Sequence, residues 1–269
     1  FLARTDWEGV QDWTCFDNLN MVNLYAIAAY AENENTSEEE IYLRWLQGEH
    51  MLDERLSPGQ LKTCVQTVKE IMDETWPIVE KTNFVNGCLF SNDSCMHLTP
   101  EQFTFIGGTH HSLSEWDPEK KDALEMSVEN IARIIEDKEE AHVKCEKLVD
   151  RVVAGNMGLT EDAYEKMKEH FEFMRWYVRG FRLTARGYCF GRYVTEKNAA
   201  DMLVEGKTAN VLLEETIHEM EKYREGLLQT TFIKKYPFDA QLNPERVAFY
   251  TNSLKRMLAQ GKKVEIVED

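Results

Sequence analysis

The sequence predicts an all-α fold, an antiparallel bundle of long helices with one long structured loop. Three observations carry that prediction. Only 6 Pro and 14 Gly interrupt 269 residues, few enough to leave long helices intact. Apolar residues recur at spacings of three and four through most of the chain, which gathers them on one face of a helix. No alternating apolar and polar run is long enough to build a sheet of its own.

A first helix is expected over residues 18–32, where Leu19, Val22, Ala26, Ala29 and Tyr30 share a face. ENENTS breaks it. Ser37 with Glu40 then reads as a capping box, in which each side chain satisfies the other's orphan N–H. The helix that follows turns Ile41, Trp45 and Leu46 inward. Pro58 marks the next start, and Leu61, Val65, Val68, Ile71 and Met72 form a stripe reaching toward Trp76. Residues 84–117 carry Gly pairs, Asn and Ser without a sustained period. A structured loop pinned by Phe90, Phe103, Phe105 and Trp116 is expected there, and loops of that length are often functional.

After Pro118 the rhythm is strongest. Leu124, Val128, Ile131 and Ile135 repeat at four, three and four, and His142, Cys145, Val149 and Val152 resume after Lys138 interrupts. This heptad-like seam predicts a helix on the order of 50 Å long. GNMGLT ends it, with Thr160 as N-cap and Glu161 and Asp162 in the first turn of the next helix. That helix has its own seam of Tyr164, Met167, Phe171, Met174, Val178, Phe181, Ala185 and Tyr188. The short turn makes the two antiparallel neighbours. Val211, Leu212, Ile217, Met220, Tyr223 and Leu227 mark a further helix, and Val247, Tyr250, Leu254 and Leu258 a last one from Pro244. The expected division is residues 1–17 as the remnant of a preceding domain or a linker, 18–262 as a helical domain, and 263–269 as a tail.

A formal charge of −17 argues against nucleic acid as a partner, since a negative field repels phosphate. It suits solvated helix faces. No apolar run approaches the ~18 residues that a membrane crossing needs. Cys15, Cys64, Cys88, Cys95, Cys145 and Cys189 make no C-x-x-C pair, so a zinc or thioredoxin-like site is not expected. Cys88 and Cys95 flank a short loop that a disulfide could close in an oxidising compartment. Cys145 and Cys189 fall in helical patterns as buried thiols.

Arg175, Arg179, Arg182 and Arg186 stand at i, i+4, i+7 and i+11 and so form one stripe. Two uses are open: ion pairs with Glu129, Glu136, Glu139 or Glu140 of the preceding helix, or an interface for carboxylates of a sugar or an acidic partner. Thr109-His110-His111 follows two glycines. Adjacent histidines point apart and no acid completes a ligand set, so a cleft-lining role is preferred to a metal site. Glu139-x-x-His142 and Glu215-x-x-His218 have the spacing found in helical di-metal sites, but 48 acidic residues produce such pairs by chance. Glu214 and His218 stand i, i+4 without making H-E-x-x-H. Nucleophile elbow, P-loop and dinucleotide fingerprints are absent from the sequence. No metal, cofactor or catalytic residue is assigned to the chain.

In DWTCFDNLNMVNLYAIAAYAENENTSEEEIYLRW, Trp13 precedes a helix carrying Asn23 and Tyr25. A break follows, and Ser37, Glu39, Glu40 and Ile41 open a second helix that closes on Trp45. This order resembles the segment joining the barrel to the helical C-terminal domain in microbial α-glucuronidases, a family of glycoside hydrolases. The resemblance covers residues 13–45. It implies two catalytic carboxylates on a preceding barrel. FLARTDW would then end a barrel strand, where barrel active sites lie, and a chain opening at Phe1 would be a fragment or a processed product. Arg4, Asp6, Trp7 and Trp13 would face the sugar pocket or plug the junction, and His110 and His111 would line the cleft. The partners this implies are the missing N-terminal catalytic domain, carbohydrate and a second copy in a homodimer, with neither nucleic acid nor membrane. The compartment would be the periplasm or cytoplasm of a bacterium. The seams and the arginine stripe also suit a second reading, a helical protein–protein interaction domain without an enzymatic role.

Overall fold

A computed structural model describes residues 19–89, 96–100, 122–197, 203–204, 206–230 and 242–265. Over these residues the protein is all-α: eight α-helices, with two hairpins of two-residue strands. They fall into two compact units. The first takes the described parts of Phe1–Trp76 and Cys145–Arg175, the second those of Pro77–Lys144 and Trp176–Asp269.

In the first unit, α1 (Met21–Glu32) and α2 (Glu38–Gly48) form an antiparallel hairpin. Tyr25 reaches Glu49 at one end of it, and Glu32 meets Arg44 at the other. Ser37 Oγ accepts the Glu40 N–H, but the expected capping box is only half made. Arg44, one turn on, holds the Glu40 carboxylate at 2.6 Å and keeps it from reaching back. The reciprocal box forms instead at α3 (Pro58–Asp73), between Ser57 and Gln60 with Pro58 in the first turn. Ile41, Trp45 and Leu46 of α2 are buried with Cys64, Val65, Val68 and Ile71 of α3. From α1 only Val22 and Ala29 join them, and Tyr30 is 46% exposed.

The α3 stripe does not run to Trp76. Pro77 has no N–H to continue the ladder, and Thr75 Oγ1 turns back to donate to the Met72 carbonyl at 2.6 Å. A new helix, α4 (Thr75–Asn83), starts there and leaves Trp76 62% exposed.

The two long helices are α5 (Val128–Val153) and α6 (Glu161–Glu196). Leu124 lies in a 3₁₀ turn, Asp122–Leu124, and Ser127 Oγ accepts the Asn130 N–H, so α5 begins later than its seam suggests. Its 26 residues span about 39 Å. Lys138 does not interrupt the seam. It is 2% exposed and lies in line with the buried Ile131, Ile134, Ile135, Ala141 and Cys145. Thr160 caps α6 by accepting the Ala163 N–H. The helices are antiparallel in each unit: Tyr164 donates to the Val153 carbonyl and Arg175 meets Glu146 in the first, and Arg182 meets Glu139 in the second.

The second unit is completed by α7 (Ala209–Gln229) and α8 (Pro244–Glu265), an antiparallel pair joined by Arg224–Glu245 and Lys255–Glu221 ion pairs. Leu212, Leu213, Ile217, Met220, Tyr223 and Leu227 face the core, whereas Val211 is exposed. Val247, Tyr250, Leu254 and Met257 do the same from α8, which runs past residue 262 into the expected tail. Both helices approach α6 at glycines. Tyr223 donates to the Trp176 carbonyl, with its hydroxyl 2.5 Å from where a Cβ on Gly180 would stand. Tyr250 donates to the Thr184 carbonyl beside Gly187, and Met257 lies against Gly191.

Of the expected loop over 84–117, residues 84–89 form a hairpin of β1 (Phe84–Val85) and β2 (Cys88–Leu89). Asn86 and Gly87 both take positive φ, as the tightest hairpin turns require. Phe90, Cys95, Phe103, Phe105 and Trp116 lie outside the described residues. Burial raises the Cys64 thiol to about 11 and those of Cys145 and Cys189 to about 12, which keeps all three as inert core groups.

Candidate functional site

In the first unit, the end of α2 is tied to the turn that precedes α6. Gly48, the last residue of α2, leaves room for the Tyr25 ring, which occupies the place of any side chain there. Tyr25 then donates its hydroxyl to Glu49 at 3.0 Å. His50 takes φ of 54°, a left-handed turn uncommon outside glycine. The reversal lets the Met51 carbonyl accept the Thr160 N–H at 2.8 Å, and Leu52 bridges to Leu159.

A cavity of about 380 Å³ opens between these two segments, a size suited to a small molecule. Leu19, Trp45, Met51 and Ala163 make its apolar floor. Its rim is polar: Glu49, His50, Thr160, Asp162 and Lys166. The Thr160 oxygen already accepts the Ala163 N–H, so its hydroxyl hydrogen remains to be donated. A second depression of about 660 Å³ shares His50 and Thr160 and continues past the Asp53–Arg55 ion pair. The sequence marks Trp45 as an inward-facing residue, Thr160 as a cap and Asp162 as a first-turn acid, but nothing in it marks Glu49, His50 or Lys166. The rim joins residues 49–50 to 160–166, and neither segment carries a spacing that points to the other.

The second unit holds a reciprocal lysine clasp. Lys138 of α5 donates to the carbonyls of Lys81, Thr82 and Phe84 at the end of α4, at 2.8 Å in the case of Thr82. Lys81 of α4 in turn reaches Asp137 at 2.7 Å and Glu140 at 2.5 Å on either side of Lys138. Burial lowers Lys138 to about 7, opposed by the negative charge of Asp137. The carbonyls, at the negative end of a helix, also favour the charged form. The clasp fixes one helix to another.

The arginine stripe engages its own chain. Arg175 pairs with Glu146, Asp150 and Glu172 in the first unit. In the second, Arg182 and Arg186 share the Glu139 carboxylate at 2.6 and 3.5 Å. Arg179 lies over the rings of Trp176 and Tyr223, at 5.7 and 5.9 Å from their centroids. The expected pairing with α5 is thus made through Glu139, while Glu140 serves Lys81 and Lys144. Glu139→Gln should lower stability by about 1–2 kcal/mol, because it removes the negative charge that two largely buried guanidinium groups share. A lower urea midpoint at unchanged slope would register the loss.

Arg4, Asp6, Trp7, Trp13, His110 and His111 lie outside the described residues. Among the described ones, no group of three or more His, Cys, Asp and Glu is placed to hold a metal ion. No described helix is long and apolar enough to cross a membrane. No protein-family model, curated protein or solved structure matches this chain. What the structure adds to the α1–α2 segment is a role for several of its residues. Tyr25 crosses the end of α2, Ser37 caps its start, Ile41 and Trp45 are buried under it, and Glu40 holds Arg44.

Proposed function

We propose that the chain is a non-catalytic helical portion of a glycoside hydrolase similar to α-glucuronidases. In this reading it buttresses a catalytic barrel that supplies the two reacting carboxylates. The observation that carries the reading is the α1–α2 hairpin. Tyr25, Ser37, Ile41 and Trp45, which bear the resemblance, all serve the fold of that hairpin and none is held as a reacting group. The ionic groups between helices support the same view. Arg175, Arg182, Lys81 and Lys138 hold helices to one another.

The test is turnover. Incubated with an aryl glucuronide and with a glucuronide-bearing oligosaccharide, the chain alone should release neither aglycone nor free sugar. Steady release that scales with protein concentration would overturn the proposal. The reading as an independent interaction domain loses support from the arginine stripe, three of whose members are paired with carboxylates of the same chain.

A further inference from the structure

We infer that the cavity between the end of α2 and the start of α6 binds a neutral, hydroxyl-rich ligand, a pyranose unit of a glycan. Three features point to that chemistry. The floor, lined by Leu19, Trp45, Met51 and Ala163, is apolar, so it offers a place for C–H faces and nothing for a charge. The rim mixes acceptors with donors. Glu49 and Asp162 accept, Lys166 and the Thr160 hydroxyl donate, and the His50 ring does either according to its tautomer. A hydroxyl group both donates and accepts, so a ring of hydroxyls matches such a rim where a purely acidic or basic ligand would leave half of it unpaired.

Charge makes the third argument. The rim carries two carboxylates and one ammonium beside a neutral imidazole, a small negative excess that does not favour an anionic ligand. The chain as a whole is at −17, which disfavours an anion on approach. A volume of about 380 Å³ is at the small end of ligand sites and fits one or two sugar rings rather than a long chain. The inference stands on the cavity itself. It rests on the proposed function only in taking disaccharides as probes.

Calorimetry and saturation-transfer NMR with xylobiose, cellobiose and maltose would test it, with glucuronate and glucosamine as charged comparisons. At least one neutral disaccharide should bind saturably, with a Kd on the order of 1 mM, and more tightly than either charged sugar. His50→Gly suits the left-handed backbone at that position, so it should fold as well as the parent while losing the ring. It should weaken binding at least tenfold, and Asp162→Asn at least fivefold. The inference is overturned by saturable binding confined to glucuronate or glucosamine, by no saturable binding of any neutral sugar, or by unchanged affinity in a folded His50→Gly protein. Turnover by the isolated chain would instead sink the proposed function and leave the cavity inference standing.

Discussion

Gly180→Ala is expected to lower the unfolding free energy by about 2–3 kcal/mol, a loss at the upper end of core overpacking. The added Cβ would stand 2.5 Å from the Tyr223 hydroxyl and 2.9 Å from its ring carbon. The tyrosine cannot step aside at low cost. It is fully buried, and its hydroxyl is bound to the Trp176 carbonyl at 2.9 Å. Moving the ring breaks that bond, and holding it forces α6 and α7 apart. Thermal unfolding should shift down by roughly 4–12 °C. Gly59→Ala is the matching control, since nothing lies within 4 Å of its new Cβ. Equal midpoints for the two variants would show that α6 and α7 do not approach as closely as described.

Such glycines explain what the sequence makes legible and what it hides. Apolar spacing is a property of one helix, and it locates α2, α3, α6 and α8 well. It also places Tyr164, Phe171, Phe181 and Tyr188 on one buried face. Close approach is a property of two helices. Gly180 and Gly187 therefore pass without notice in the helical seam, although their role is to admit Tyr223 and Tyr250. The same limit applies to Lys138, whose charge breaks an apolar pattern although its partners are carbonyls 54 to 57 residues away. Pro77 was there to be read and outweighs the stripe that runs toward Trp76. The cavity was the least legible feature. Thr160 announces itself as a cap, but nothing in its neighbourhood indicates His50 across the gap.

Lys138→Met should separate the pH dependence of stability from that of the parent. The amine is held near 7 in the fold, below its ordinary 10.5. Between those two values the unfolded chain binds the extra proton, so the parent gains stability as pH rises through this window. The gain approaches about 1.4 kcal/mol for each pH unit. Methionine cannot titrate, so parent minus variant should grow by roughly 2–3 kcal/mol from pH 7 to pH 9. Below pH 7 the difference should flatten, because both states of the parent are then protonated. Urea titrations at several pH values measure it directly. Parallel curves for the two proteins would mean that Lys138 keeps an ordinary proton affinity, with the carbonyls of Lys81, Thr82 and Phe84 holding its charge in place.

The approach of α7 and α8 to α6 also leaves a written trace. Gly180, Gly187 and Gly191 are spaced by seven and four, and Tyr223 and Tyr250 follow them downstream. Each glycine answers to an aromatic or flexible group at a fixed place on another helix. A distant relative could exchange nearly every apolar residue for another of similar bulk and still need this order of glycines and tyrosines. The pattern is therefore a fingerprint by which kin of this chain can be sought where ordinary sequence similarity has faded.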